Sequence, residues 1–123
     1  MLSVYQFILD LHTIQSQVSL PVTAGDTGRT LLISFSDGGR LYPLGDVDFT
    51  VYIKNTNTQE TAEWEIRKVR DDGLTIEYEF DRDTCPTEGV YIVEILLHRG
   101  ERRIATPKFT LEAATKITPN ETQ

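Results

Sequence analysis

Apolar and polar residues alternate with a period of two along almost the whole chain, and no stretch repeats apolar residues at the spacing of a helix. A strand turns successive side chains to opposite faces, so such a sequence folds into sheets with one greasy and one wet side. In the first segment Tyr5, Phe7, Leu9 and Leu11 share a face, opposite Gln6, Asp10 and His12. Val18, Leu20 and Val22 alternate next. Pro21 lies in that run and has no amide hydrogen, which places the run at a sheet edge or a bulge. Leu31, Ile33 and Phe35 alternate with Leu32, Ser34 and Ser36 and lead into the turn Asp37-Gly38-Gly39.

The pattern continues beyond Leu41-Tyr42-Pro43-Leu44. Phe49 to Lys54 is β-branched and aromatic on both faces, and Asn55-Thr56-Asn57-Thr58 breaks it. Trp64 and Ile66 alternate with Glu63, Glu65 and Arg67, and Trp64 is the candidate core plug. Asp71-Asp72-Gly73 is an aspartate-glycine turn ahead of Leu74, Ile76, Tyr78 and Phe80, which face away from Thr75, Glu77, Glu79 and Asp81. The segment from Asp83 to Gly89 is a crossover, too short for more than a turn of helix. Val90 to Leu97, broken only by Glu94, is the central strand, and Ile104 to Leu111 the last. About seven to nine short strands with glycine and aspartate turns predict an all-β fold, an antiparallel immunoglobulin-like β-sandwich. The sandwich is expected over residues 1–112, with a polar C-terminal tail over 113–123.

The 123 residues make one domain with a core large enough to stand without disulfides, and the lone Cys85 excludes an intrachain bridge. Twelve Lys plus Arg against nineteen Asp plus Glu give a net charge of -7, which opposes a nonspecific hold on nucleic acid or on an anionic membrane. The apolar N-terminus lacks the basic run of a signal peptide, and no segment has the length of a membrane helix.

Few residues carry the pattern of catalysis. Asp26-Thr27-Gly28 is the tripeptide on which aspartic proteases mount each of two carboxylates sharing one proton. In those enzymes the loop leaves an apolar strand and a small residue follows it. Here Ala24-Gly25 precede it, Arg29 follows, and Leu96-Leu97 runs into His98-Arg99 instead of a glycine. The tripeptide therefore reads as a turn whose aspartate bonds its own backbone, with a retropepsin-like protease as the remote alternative. Asp71, Asp72, Glu77, Glu79, Asp81 and Asp83 contain enough oxygens for calcium, but Glu77, Glu79 and Asp81 form a line, with Lys68, Arg70 and Arg82 near enough to neutralise them. His12 and His98 lie in separate strands without a companion at metal-ligand spacing, and Cys85 reads as a buried thiol. Residues 25–30 lack the Gly-Lys pair of a phosphate loop. Arg99, Arg102 and Arg103 surround a hairpin turn without interleaved aromatics, which suits acidic neighbours on a partner subunit better than RNA. No catalytic, cofactor-binding or metal-binding residue is assigned. Tyr42, Tyr52 and Tyr91 are the aromatics that a carbohydrate- or surface-binding sandwich would display, the alternative non-catalytic reading.

Taken in order, Gly25-Asp26-Thr27-Gly28-Arg29-Thr30-Leu31, Ser36-Asp37-Gly38-Gly39 with Tyr42, Phe49-Thr50-Val51 ending in Lys54, Glu88-Gly89-Val90-Tyr91 with Glu94 and Ile95, and the run from Ile104 to Leu111 form a pattern. It resembles the N-terminal immunoglobulin-like domain of phage baseplate upper proteins, over roughly Tyr5 to Glu112. The resemblance implies a non-enzymatic virion structural protein of a phage or prophage, a baseplate or tail docking module without cofactor. Its implied partners are other phage structural proteins, as a homo-oligomer within an assembly built in the bacterial host cytoplasm. Members of that family continue into segments that carry receptor-binding proteins, whereas this sequence ends at Gln123, so a short tail or capsid-decorating protein is the alternative. The apolar strand from Val4 to Leu11 is the one expected to pair with a neighbouring subunit's edge.

Overall fold

The computed structural model describes residues 4–13, 15–25, 29–64, 68–80 and 87–114. The alternating segments become eleven strands among these residues: β1 (Val4–Asp10), β2 (Gln15–Thr23), β3 (Thr30–Asp37), β4 (Arg40–Leu41), β5 (Asp48–Asn55), β6 (Thr61–Trp64), β7 (Lys68–Val69), β8 (Thr75–Glu79), β9 (Gly89–Arg99), β10 (Arg102–Ala105) and β11 (Lys108–Ala114). One sheet has the order β1-β3-β8-β7, with β4 also pairing β3. The other has the order β2-β11-β9-β5-β6, with β10 also pairing β9. The two pack face to face as the expected sandwich. No helix among the described residues is long and apolar enough to cross a membrane.

The inward side chains are the ones the alternation marks. Leu9, Leu31, Ile33, Phe35, Ile76 and Phe80 from the first sheet meet Val51, Val93, Ile95, Leu97, Phe109 and Leu111 from the second, each at most 1% exposed. Burial of one such side chain stabilises by roughly 1.5–3 kcal/mol, so this dry layer is the main favourable contribution to folding. Phe7 stands edge-on to Phe109, with ring centroids 5.0 Å apart, and joins β1 to the core. Trp64 lies flat on Tyr78 at 4.6 Å and edge-on to Phe80, so the edge strand β6 is held to the opposite sheet by an aromatic cluster. The plug expected at Trp64 is in place.

Several turns follow their sequence signals. Gly38 and Gly39 both have positive φ, 63° and 83°, and close the two-residue hairpin between β3 and β4, a geometry that would strain residues bearing a Cβ. At the β7–β8 turn Asp72 Oδ1 accepts the amides of Leu74 and Thr75, and Thr75 donates its hydroxyl to Oδ2. Thr75 Oγ1 also lies 3.1 Å from Ser34 Oγ, which accounts for two polar side chains buried on the outer side of the sheet.

The fold departs from expectation in four places. The sheets are mixed rather than wholly antiparallel: β1 runs parallel to β3 and β2 parallel to β11, because the chain reverses between β1 and β2 and enters the other sheet. The strand count exceeds seven to nine partly because the run from Ile104 to Leu111 is two strands. Pro107 cannot donate to the ladder, and at the break Ile95 pairs with Thr106 instead, its carbonyl accepting the Thr106 amide at 3.0 Å and its amide reaching Thr106 Oγ1 at 3.3 Å. The two-residue strands β4 and β7 supply the rest of the excess. β9 is central, between β11 and β5, but only its Tyr91, Val93, Ile95 and Leu97 face is fully covered; Ile92, Glu94 and Leu96 are half-buried on the other. β11 also extends through Ala114, with Ala113 buried. Ile66, Asp81, Asp83 and Cys85, and all but the last few residues of the expected crossover, lie outside the described residues.

Trp64→Ala removes the centre of the aromatic cluster and is expected to cost ~3–5 kcal/mol in urea denaturation, against little change for Glu63→Ala beside it on the exposed face. Asp72 offers a pH test. The Leu74 amide above all, with the Thr75 bonds and Arg70, holds its carboxyl below the ordinary aspartate value against the opposing effect of desolvation. A pKa lowered by folding gives stability that is present above the unfolded value of about 3.9 and lost as pH falls through the folded one. Asp72→Ala should therefore melt below the wild type at neutral pH, and the gap between their melting temperatures should narrow as pH drops beneath about 4. A gap unchanged down to strongly acidic pH would show that the charge contributes nothing.

Candidate interaction surface

The strand registers give the sandwich two distinct poles. At one, Val4 pairs with Thr30 and Thr23 with Ala114, so β1 begins and β11 ends at the same pole. The other pole is bound together by contacts between its loops. The Leu11 amide donates to Ser36 O at 2.9 Å, the Leu44 amide donates to Gly73 O at 2.8 Å, and His12 Nε2 lies 2.7 Å from Asp37 Oδ1. Arg99 does three things there: it donates to Pro43 O at 2.8 Å, pairs with Asp46 at 3.0 Å, and stacks its guanidinium 4.8 Å over the Tyr42 ring. The basic cluster read from the sequence thus divides by role. Arg99 is occupied with its own chain, while Arg102 and Arg103 on β10 are exposed.

Along the side of the sandwich lie the two long edge strands, β1 of one sheet and β2 of the other, bridged where Tyr5 donates its hydroxyl to Pro21 O at 2.6 Å. Tyr5 also lies 5.2 Å beneath the Arg29 guanidinium. The outer face of β1 carries Val4 and Ile8, 49% and 56% exposed, beside Leu32 on β3. Alternation alone assigns all three to a wet face, and the signal available was their being apolar there. Leu32 is only 8% exposed because β1 and β8 flank it on both sides.

On the second sheet's outer face Tyr52, Lys54, Thr61, Ile92, Glu94 and Lys108 line an open depression of about 230 Å³, with Lys108 Nζ 3.6 Å from Glu94. Of the three tyrosines a glycan platform would use, only Tyr52 lies on this face. Tyr42 is stacked under Arg99, and Tyr91 is buried with its hydroxyl 2.7 Å from Thr87 Oγ1. The acidic candidates stay dispersed. Asp72 serves its turn, Glu77 lies 3.8 Å from Arg70, and Glu79 pairs across to Thr30. No group of three His, Cys, Asp or Glu gathers at metal-binding distance among the described residues. His12 sits in the turn after β1 rather than on a strand as expected, and His98 lies on β9 beside Asp48 and Arg103. Asp26, Thr27 and Gly28 lie outside the described residues.

No protein-family model matches the sequence, and no curated protein matches it by sequence similarity. Among solved structures the fold is similar to the N-terminal domain of phage TP901-1 ORF48, with a TM-score of 0.65 and 12% sequence identity. The match covers 93% of this chain and 99% of that one, so the two share a fold over almost the whole length of both.

Proposed function

We propose that the chain is a non-enzymatic structural module of a phage or prophage particle, docking to other virion proteins through the β1 edge and one pole of its sandwich. The observation that carries this reading is the near-complete coverage in both directions between this fold and the N-terminal domain of a phage protein. The order of turn and strand residues, which resembles the N-terminal domain of baseplate upper proteins, supports it on separate grounds. The surface is consistent with docking: an apolar-faced edge at β1, and exposed Arg102 and Arg103 on a body of net charge -7. An acidic body with a localised basic tip suits oriented contact with acidic neighbours, because complementary charge steers and registers partners. On this reading the chain acts in several copies and resides in the virion after assembly in the host cytoplasm.

The test is the composition of the particle. Phage particles purified from the chain's own host, analysed by quantitative mass spectrometry, should contain this polypeptide at several copies each, and a reconstruction by electron microscopy should show its sandwich against tail or baseplate density. Its recovery solely in the soluble lysate, with particles free of it, would defeat the proposal.

A further inference from the structure

The two sheets have four edges among the described residues, and three are protected against pairing with another chain. β6 has four residues, β7 two, and β2 carries Pro21. β1 has seven residues, with no proline and no lysine. Its register with β3 shows which main-chain groups are spare. The Leu11 amide donates to Ser36 O, so the odd-numbered residues point their amides and carbonyls at β3. Those of Val4, Gln6 and Ile8 then point away from the sheet. Asp10 O, on the same side, is taken by Thr13, whose amide and hydroxyl donate to it at 3.1 and 2.9 Å.

We propose that β1 pairs antiparallel with β1 of a second copy about a twofold axis through Gln6, joining the two β1-containing sheets into one. In this register Gln6 lies opposite Gln6 of the second copy, and Val4 opposite Ile8, so the spare amides and carbonyls of even-numbered residues face each other as hydrogen-bonded pairs. The same register covers each exposed Val4 with the other copy's exposed Ile8, two of the large apolar side chains the fold leaves in water. On the inner side Tyr5 meets Phe7. Asp10 is the only charge on the strand and falls outside the overlap, so no carboxylate is buried or set against its twin. The contact is self-complementary in hydrogen bonds, apolar surface and charge, as a twofold interface must be. Five paired residues per copy cover less than the roughly 800 Å² per partner of a standard interface. The pair is therefore weak alone and strengthens where many copies are held close together.

The inference deepens the assembly reading and rests on it for its biological setting, but its test needs only the purified chain. In sedimentation velocity between about 1 µM and about 1 mM, the weight-average mass should climb from monomer toward dimer, more readily at high salt, which screens the repulsion between acidic copies. Ile8→Lys and Gln6→Pro, which alter only outward-facing groups of β1, should stay monomeric with the melting temperature of the wild type. With Cys85→Ser as background, Gln6→Cys places two thiols across the axis at a Cα separation of about 5.5 Å and should form a covalent dimer under mild oxidation. Ile8→Cys, four residues out of register with its twin, should not. A wild type that stays monomeric throughout, dimerisation that survives both outward-facing substitutions, or cross-linking of Ile8→Cys as fast as of Gln6→Cys would each overturn the pairing. Should the chain prove strictly monomeric yet be recovered in purified particles, the β1 pairing falls and the structural role stands.

Discussion

Neither sheet of this protein has a dry side until the other covers it. Leu9, Ile33 and Phe35 are out of water only because Val93, Ile95, Phe109 and Leu111 lie against them, and the same holds in reverse. That mutual covering fixes the register of each core strand, since a slip of one residue would turn an apolar row outward and a polar row inward. It also explains how the chain spends its few irregularities. The reversal after β1, the break at Pro107 and the Trp64 stack are the places where a strand is steered so that the shared layer closes.

Much of this was legible in the sequence because it is local. The alternation around Phe35 and Tyr78, the glycine turn after Asp37 and the edge position of the strand holding Pro21 depend on neighbours a few residues away, and each stands where the pattern puts it. What could not be read depends on residues distant in the chain. Nothing within Val4–Asp10 says that the strand will lie parallel to Thr30–Asp37, and only that pairing turns Ile8 and Leu32 into neighbours on an outer face. Likewise Arg99 looks the same as Arg102 in sequence. Pro43, Asp46 and Tyr42, brought together by the fold, make one an internal clasp and leave the other in solvent. The burial of Ser34 and Thr75 is of the same kind, two hydroxyls forty-one residues apart that satisfy each other beside Asp72.

The proposed docking role draws on the surface that results. Its polar groups lie along strands and turns, mostly answering one another, and the depression around Tyr52 is open and lined by oppositely charged side chains already in contact. Association through such a surface draws on main-chain groups at an edge and on charge at a tip, both of which tolerate wide sequence change.

β1 begins and β11 ends at one pole, which sets the distance between the described chain ends and the basic tip. With Val4 next to Thr30 and Ala114 next to Thr23, the first and last described residues lie at the same pole of the sandwich. The exposed Arg102 and Arg103 lie at the opposite pole, so the full length of the strands separates the basic tip from the two described chain ends.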